Sequence, residues 1–448
     1  MASYFDRYAV TPDVEYLFSP EFKQKSFIKI QAAWLDVLSE YIPIIDIENI
    51  NFLHHLVLDP CQVKEYEKTT KHDVVAMIKA CVDNLKFHGH NDIARWIHIC
   101  LTSQDINDTT TGLMFFEIDK IIHKKTRPIL DVLRNLALCY QDTLCVSRTH
   151  GQVAVPMAFG QRFAIWFDDL MHAEDDFYEL RYGKLAGAVG TYSSLRQLLI
   201  ASQSNLSFLN NKLTNDNKSN LDFACEFIEH KVLESLDLEQ SFSKTQILSR
   251  QYISKFIYGL VVIASVCGRI AHQIRHLQRQ EINELSEFFD TDTQVGSSAM
   301  PQKRNPYKSE QICGLVKTLQ PMILTCLQNI DNDDERDLTN SSSERVVIEN
   351  VVKLTTYILD QMYLILQNLQ INDKNIKKNY ETYASVMKSE HKLNELVING
   401  KDRQDAYHTV KNSLENKLDM SSSNDNNNDE FLYVITEVKT SLSLKRYD

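Results

Sequence analysis

Glycine and proline are scarce in this 448-residue chain, 12 and 9 in number, against usual frequencies of about 7% and 5%. Both interrupt helices and mark turns, so their shortage argues against turn-dense β architectures and for long helices with few connections. The cysteines (Cys61, Cys81, Cys100, Cys139, Cys145, Cys225, Cys267, Cys313 and Cys326) include no C-x-x-C pair and are odd in number. They suggest no disulfide framework and read as small core residues in a reducing compartment. The longest apolar run, "FIYGLVVIASVC" from Phe256, is shorter than the ~20 residues a bilayer span requires. "MASYFDRYAV" at the start lacks the charged and apolar regions of a signal peptide. No internal repeat, Gly-rich phosphate loop or Cys/His metal cluster stands out. Positive charge is also in deficit, with 60 acidic against 48 basic residues and a net charge of −12. That balance opposes nucleic-acid binding and leaves anionic small molecules only where basic residues gather locally. The expectation is a cytoplasmic protein with no nucleic-acid or membrane partner, no metal and no cofactor.

What the chain has is helical periodicity. Ile253, Phe256, Ile257, Leu260, Ala264, Cys267, Ile270, Ala271, Ile274 and Leu277 recur at steps of three and four, which predicts one apolar helical stripe. Around residues 260–266 the pattern is apolar on nearly all sides, as in a helix packed against several others. Similar stretches at 118–138, 157–180, 312–330 and 346–369 predict an elongated all-α bundle. Shorter helices precede residue 111. The tracts "NNKLTNDNKSN" (210–220) and "SSSNDNNNDE" (421–430) read as polar surface insertions.

Polar segments interrupt this pattern. "KHDVVA", with Lys71, His72 and Asp73, reads as a helix start. "IHICLTSQDINDTTTG" (97–112) reads either as a capping loop or as a cluster of short hydroxyl and amide groups suited to carboxylate or phosphate oxygens. In "SRTHGQVAVP" (147–156), His150 lies beside Arg148 and Gly151 between two helical stretches, where a structural His and a general acid are both plausible. "DERDLTNSSSER" (334–345) sets Arg336 and Arg345 around a helix start, an anion site or simple capping by Ser341 or Ser342 with Glu344. The densest is "QVGSSAMPQKRNP" (294–306): Gly296 for backbone freedom, Ser297 and Ser298 for hydroxyls, Lys303, Arg304 and Asn305 as donors, Pro301 and Pro306 as stiffeners. A plain surface turn needs no such concentration of donors.

"GSSAMPQKRNP" resembles the signature of the fumarase/aspartase superfamily, G-S-S-x-M-P-x-K-x-N-P. Within it the chain is most similar to the adenylosuccinate lyase family, through "DRYAVTPDVEYLF", "KHDVVA", "LTSQDINDT", "SRTHGQ", "KLAGAVGTY", "ERDLTNSSSER" and "GKDRQDAY", in family order. The resemblance implies a three-domain subunit: a helical N-terminal domain (1–111), a central long-helix bundle (112–364) with the signature loop at 294–306, and a helical C-terminal domain (365–448). Four subunits would share a core of about 20 helices, each active site drawing on three of them. It also implies elimination of fumarate from a succinylated nitrogen, namely from adenylosuccinate and from succinylaminoimidazole carboxamide ribotide in purine biosynthesis.

By the same resemblance Ser297 is the general base and Lys303 and Asn305 stabilise the carbanion. His150 is the general acid, oriented by Glu310 of another subunit, while His72 holds phosphate or assists the acid. His98 helps orient substrate. Arg7, Tyr8, Arg336, Ser341 and Arg345 are expected at phosphate and ribose, and Thr102, Ser103, Thr149 and Gln246 at the succinyl carboxylates. Lys71, Asp73, Gln104, Asp105, Ser298 and Met300 complete the expected binding set. Three departures stand out. "TSQD" is also reminiscent of carboxymuconate cycloisomerases, Ser249 and Gln251 stand where many relatives have Gln and Asp, and Asn340 stands where His is common. A cycloisomerase and a non-catalytic helical assembly protein are therefore the alternatives, weighed against the presence of His150, Ser297, Lys303 and Glu310.

Overall fold

Three of the few prolines open helices rather than end them. Pro12, Pro20 and Pro60 stand at the first positions of the helices Pro12–Leu17, Pro20–Tyr41 and Pro60–Thr70, where the missing N–H has no intrahelical partner to lose. The computed structural model describes residues 7–175, 177, 181–202 and 217–418. It is dominated by helices, the longest being Ser103–Cys139, Gln251–Leu277 and Thr339–Gln367. Residues 210–216 of the first polar tract and all of 421–430 lie outside the described residues, while 217–220 open the helix Asn217–Ser235.

The chain forms two units. The first comprises Met1–Lys124, Asp176–Val262 and Lys317–Tyr357, the second Lys125–Asp175, Ile263–Val316 and Ile358–Asp448. The three longest helices contribute to both. The expected boundaries at 111/112 and 364/365 both fall inside such helices.

In the first unit, Pro20–Tyr41 is buried along most of its length, with Phe27, Ile30, Trp34, Leu35 and Leu38 fully enclosed. Each such side chain contributes about 1.5–3 kcal/mol through burial. The Ser19 hydroxyl caps the helix by accepting from the Phe22 N–H at 3.2 Å, a contact worth about 1 kcal/mol. Phe115 and Phe256 stack with centroids 3.7 Å apart.

The second unit contains a strand pair where the sequence suggests a polar segment, 147–156, between helical stretches at 118–138 and 157–180. Leu144–Thr149 and Gln152–Ala158 form an antiparallel hairpin, followed by the helix Gly160–Asp175. Phe159, Phe163 and Trp166 pack edge to face at 5.5 and 5.2 Å. The helix Asp373–Met387 packs against both strands. The expected helix 312–330 divides into Tyr307–Leu319 and Met322–Gln328, because Pro321 disfavours helical geometry at the residue before it.

Gln251–Leu277 has the length and composition of a membrane span, its most apolar 18-residue window averaging a hydropathy of 1.6. Of that window, 61% is buried within the protein, as in the core helix of a water-soluble fold.

Candidate active site

In the first unit, the turn entering Ser103–Cys139 holds an unusual backbone. His98 and Cys100 have φ of 67° and 62°, left-handed values that cost about 1–3 kcal/mol each and persist only where surroundings enforce them. The enforcement comes from two sides. Gln31 Oε1 accepts from the His98 N–H at 2.7 Å, and the Trp34 indole donates to the Ile99 carbonyl at 3.0 Å. On the other side, Asp105 is fully buried. Its Oδ2 accepts from the N–H groups of Thr102 at 2.7 Å and Gly187 at 3.1 Å, its Oδ1 from Ala186 at 3.0 Å and from the Lys184 ammonium. Burial pushes the Asp105 carboxyl up to about 6, against the pull of Lys184 and the backbone donors. Expected among the substrate contacts, Asp105 instead has both oxygens engaged inside the protein, and it shapes the turn that presents Thr102, Ser103 and Gln104.

His72, the residue before the helix Asp73–Phe87, meets this turn: its Nε2 lies 3.2 Å from Ser103 Oγ and its Nδ1 3.2 Å from Asp73. Burial raises the Asp73 carboxyl, but Lys23, the Val74 N–H and His72 outweigh it and hold the group below its ordinary value. His98 is depressed to about 4, first by burial and then by the neighbouring His72, so its ring is neutral near pH 7. Its Nδ1 faces the Gln31 amide nitrogen at 3.4 Å. With Nδ1 accepting, Nε2 carries the proton and is the ring's free donor.

Arg336 joins two further expected residues. It donates to Gln246 Oε1 at 3.1 Å and to the Gln104 amide oxygen at 2.5 and 2.9 Å, in the orientation that satisfies both groups. Gln246 in turn donates to the Ala188 carbonyl at 2.9 Å. Burial lowers the Arg336 pKa, opposed by Asp108 and Glu344 and reinforced by Arg250.

Behind Arg336 lies a buried set centred on Arg250, a residue that motif reading passes over. Arg250 pairs with Asp108 at 2.9 Å and with Glu344 at 3.1 Å. Asp108 also accepts from the Leu248 N–H at 2.8 Å, and Glu344 from the Asn340 amide at 2.8 Å. Asn340 is buried, and this bond is the work it does in place of a His. The helix Thr339–Gln367 is capped by Asp337, which accepts from the Thr339 N–H at 2.6 Å, rather than by Ser341 or Ser342. Glu344 closes no capping box because Arg250 engages it. Among the described residues no hydrogen bond or ion pair joins the side chains of Arg7, Lys71, Ser341 or Arg345 to this cluster. The Tyr8 ring packs edge-on to Tyr357 at 5.4 Å.

The second unit carries the other expected groups on two exposed elements. Thr149 pairs with Gln152, so His150 and Gly151 form the two-residue turn of the hairpin, with φ of 54° and 76°. Two positive φ values are those of a type I′ turn, which the strand twist favours and which glycine adopts freely. The His150 ring is exposed at this tip.

In the signature loop, a Cβ on Gly296 would lie 2.0 Å from the Lys303 carbonyl oxygen. Glycine is required there because the loop crosses itself, rather than for backbone freedom. Asn305 clasps the crossing by donating to the Gly296 carbonyl at 3.0 Å. Ser297 Oγ accepts from the N–H groups of Met300 at 3.1 Å and Ala299 at 3.3 Å. Two donors on a hydroxyl oxygen favour its anionic form. Ser298, Met300 and Lys303 are exposed, as is Glu310 in the first turn of Tyr307–Leu319. Buried Glu287 caps that helix by accepting from the Ser309 and Lys308 N–H groups at 2.6 and 3.3 Å. Within one chain the His150 ring and the Glu310 carboxylate are not bonded to each other.

Residues 47–319 match the family model described as Lyase. The adenylosuccinate lyase of Methanocaldococcus jannaschii is 33% identical over 410 residues, covering 90% of this chain and 82% of that protein. The chain belongs to the adenylosuccinate lyase family. The Bacillus subtilis adenylosuccinate lyase is 28% identical over 410 residues, with 90% and 86% covered. Adenylosuccinate lyases of archaea and bacteria thus match the chain along nearly its whole length. Solved structures share the mostly helical fumarase/aspartase fold. The β-carboxy-cis,cis-muconate cycloisomerase of Acinetobacter calcoaceticus superimposes with a TM-score of 0.75, covering 100% of this chain and 93% of that one at 17% identity. A fumarate lyase of Mesorhizobium gives 0.73, with 96% and 89% covered at 17% identity. At such identity the likeness to the cycloisomerase is one of fold alone, whereas the adenylosuccinate lyase family is carried by sequence.

Proposed function

We propose that the protein cleaves adenylosuccinate to AMP and fumarate, and succinylaminoimidazole carboxamide ribotide to its amide and fumarate, by anti β-elimination. The observation that carries this reading is Ser297, whose oxygen already accepts two backbone N–H bonds in a loop that also bears Lys303. A serine hydroxyl is a poor base, and those donors together with the Lys303 cation favour the alkoxide it must become. Ser297 takes the proton from the carbon beside the succinyl carboxylate. Lys303, and the Asn305 N–H not spent on Gly296, hold the charge that develops there. His150 gives its proton to the departing nitrogen, the C–N bond breaks, and fumarate leaves with the new double bond.

The first unit supplies binding. Arg336, fixed by Gln104, Gln246 and the Asp337 carbonyl, offers its one remaining N–H to phosphate or carboxylate oxygens, with Ser103, Thr102 and the His98 Nε2–H nearby in the chain's geometry. His72, bonded to Ser103, either contacts phosphate or assists the acid. Arg7, Tyr8, Ser341 and Arg345 serve the nucleotide phosphate and ribose, Lys71 and Asp73 flank His72, and Thr149, Ser298 and Met300 line the succinyl end.

The protein works as a cytoplasmic homotetramer of three-domain subunits, each site drawing on three chains, with Glu310 of one reaching His150 of another. Apolar side chains exposed on helices support this: Tyr258 (57%), Leu324 (61%), Leu327 (53%) and Val346 (59%) leave large surface uncovered in a lone chain.

The test is ultraviolet absorbance of purified protein with adenylosuccinate, beside a Ser297→Ala variant of equal oligomeric size. Turnover in the wild type and a loss of about 10³-fold in the variant are expected, the scale of losing a general base. A well-folded tetramer with no turnover overturns the reading.

A further inference from the structure

The second unit contains a buried carboxylate that the mechanism does not use. Glu284 is fully enclosed. Arg148 Nη1 lies 3.6 Å from its Oε1 and Arg162 Nη2 3.9 Å from its Oε2, so both guanidiniums sit at ion-pair rather than hydrogen-bond distance. Oε1 accepts from the Asn379 amide at 3.0 Å, while Oε2 has no hydrogen-bond partner among the described residues. Removing charges from water for so loose an arrangement is expensive, and apolar side chains of similar volume would serve stability better. An incompletely satisfied buried carboxylate therefore calls for an explanation other than stability.

Its position offers one. Arg148 is the hairpin residue two places before His150, on a strand whose register shifts between Val146 and Arg148. Arg162 donates to the Val146 carbonyl at 2.9 Å, holding the same strand at the irregularity. A two-stranded hairpin is marginal by itself, and this one ends in a histidine held at positive φ. The Glu284 segment is locked in turn to the helix Asp373–Met387. The Asn372 N–H donates to the Glu284 carbonyl at 2.9 Å, and Asn379 donates to the Ile282 carbonyl at 2.8 Å. One carboxylate thus binds the strand that carries His150 to a helix and to the Leu285–Ser286 strand, which pairs with Gln370–Ile371.

We propose that Glu284 is a positioning residue for His150, acting through Arg148 and the hairpin strand. This rests on His150 being the general acid, and the experiment separates the two claims. Steady-state cleavage of adenylosuccinate is measured for Glu284→Gln and Arg148→Met, each in the wild-type and the His150→Gln background, with thermal melting of every variant. In the wild-type background both substitutions lower kcat by about 10–100-fold with KM changed less than about threefold, since only the placement of the acid is lost. Combining them costs no more than about threefold beyond the worse single variant, as for residues acting as one unit. In the His150→Gln background either substitution adds less than about threefold, because the group it positions is gone. Equal losses in both backgrounds, or a rise in KM with kcat unchanged, overturn the proposal. Wild-type turnover in His150→Gln removes the acid assignment itself, whatever Glu284→Gln does. Should Glu284→Gln fail to fold, Arg148, whose side chain is only partly buried, carries the same comparison, and an equal loss from Arg148→Met in both backgrounds overturns the proposal.

Discussion

The two halves of the expected chemistry are built in opposite ways. In the first unit the residues expected to bind rest on buried polar groups that are paired within the protein: Asp105 with four donors, Arg250 between Asp108 and Glu344, Arg336 between Gln104 and Gln246. In the second, His150 stands on an exposed hairpin turn and Ser297 in an exposed loop that crosses itself. Groups that bind gain from being held before substrate arrives, because ordering cost is then met in folding. A base and an acid need access to the reacting atoms, which an exposed turn or loop gives them.

This contrast predicts that damage to the first unit appears as lost stability or affinity and damage to the second as lost turnover. The largest stability effect should come from Arg250→Met. It strands Asp108 and Glu344 in the interior, a loss of about 3–5 kcal/mol measurable by denaturant unfolding. A fully stable variant would break the comparison. Next, Gly296→Ala places a Cβ against the Lys303 carbonyl and should lower kcat by about 10–100-fold through displacement of Ser297. Its melting temperature should stay within a few degrees, since the loop is exposed; unfolding would show that the loop supports the fold.

Arg336→Met should raise KM for adenylosuccinate by about 10–100-fold with kcat much less affected, the pattern of lost uniform binding. Arg336→Lys should recover only part of it, because an ammonium lacks the planar fork that meets both amides and a ligand. The smallest effect belongs to His98. Its folded value of about 4 lies below the ordinary 6.5, so the unfolded state takes up its proton first. The contribution is complete above 6.5 and is lost as pH falls through 4. His98→Gln should reduce the difference in stability between about pH 7 and pH 5 by roughly 1–2 kcal/mol, read from unfolding curves at the two pH values.

The helical character was legible because apolar residues recurred at steps of three and four, and Gln251–Leu277 and Thr339–Gln367 follow those patterns closely. The polar stretch 103–112 was harder, because its helix turns acidic and hydroxyl groups inward: Asp105 to Lys184, Asp108 to Arg250, Thr109 to the Lys184 carbonyl at 2.9 Å. A helix with a buried polar face carries the composition of a loop. The hairpin around His150 had a signal in the alternating "TLCVSRT" and "QVAVPMA" about a two-residue turn, which helical context obscured. Arg250 and Glu284 had no local signal, since what they do depends on partners far along the chain.

Sequence by itself determined the longest helices and the family, because periodicity and motif are local properties of the chain. Tertiary structure alone decided which charges are neutralised where. It turned Asp105 from a candidate ligand contact into the clasp of a strained turn, and it made glycine at 296 a steric necessity. The reason is physical: the worth of a carboxylate or a missing Cβ is set by what lies within a few ångströms, and those neighbours come from distant parts of the chain.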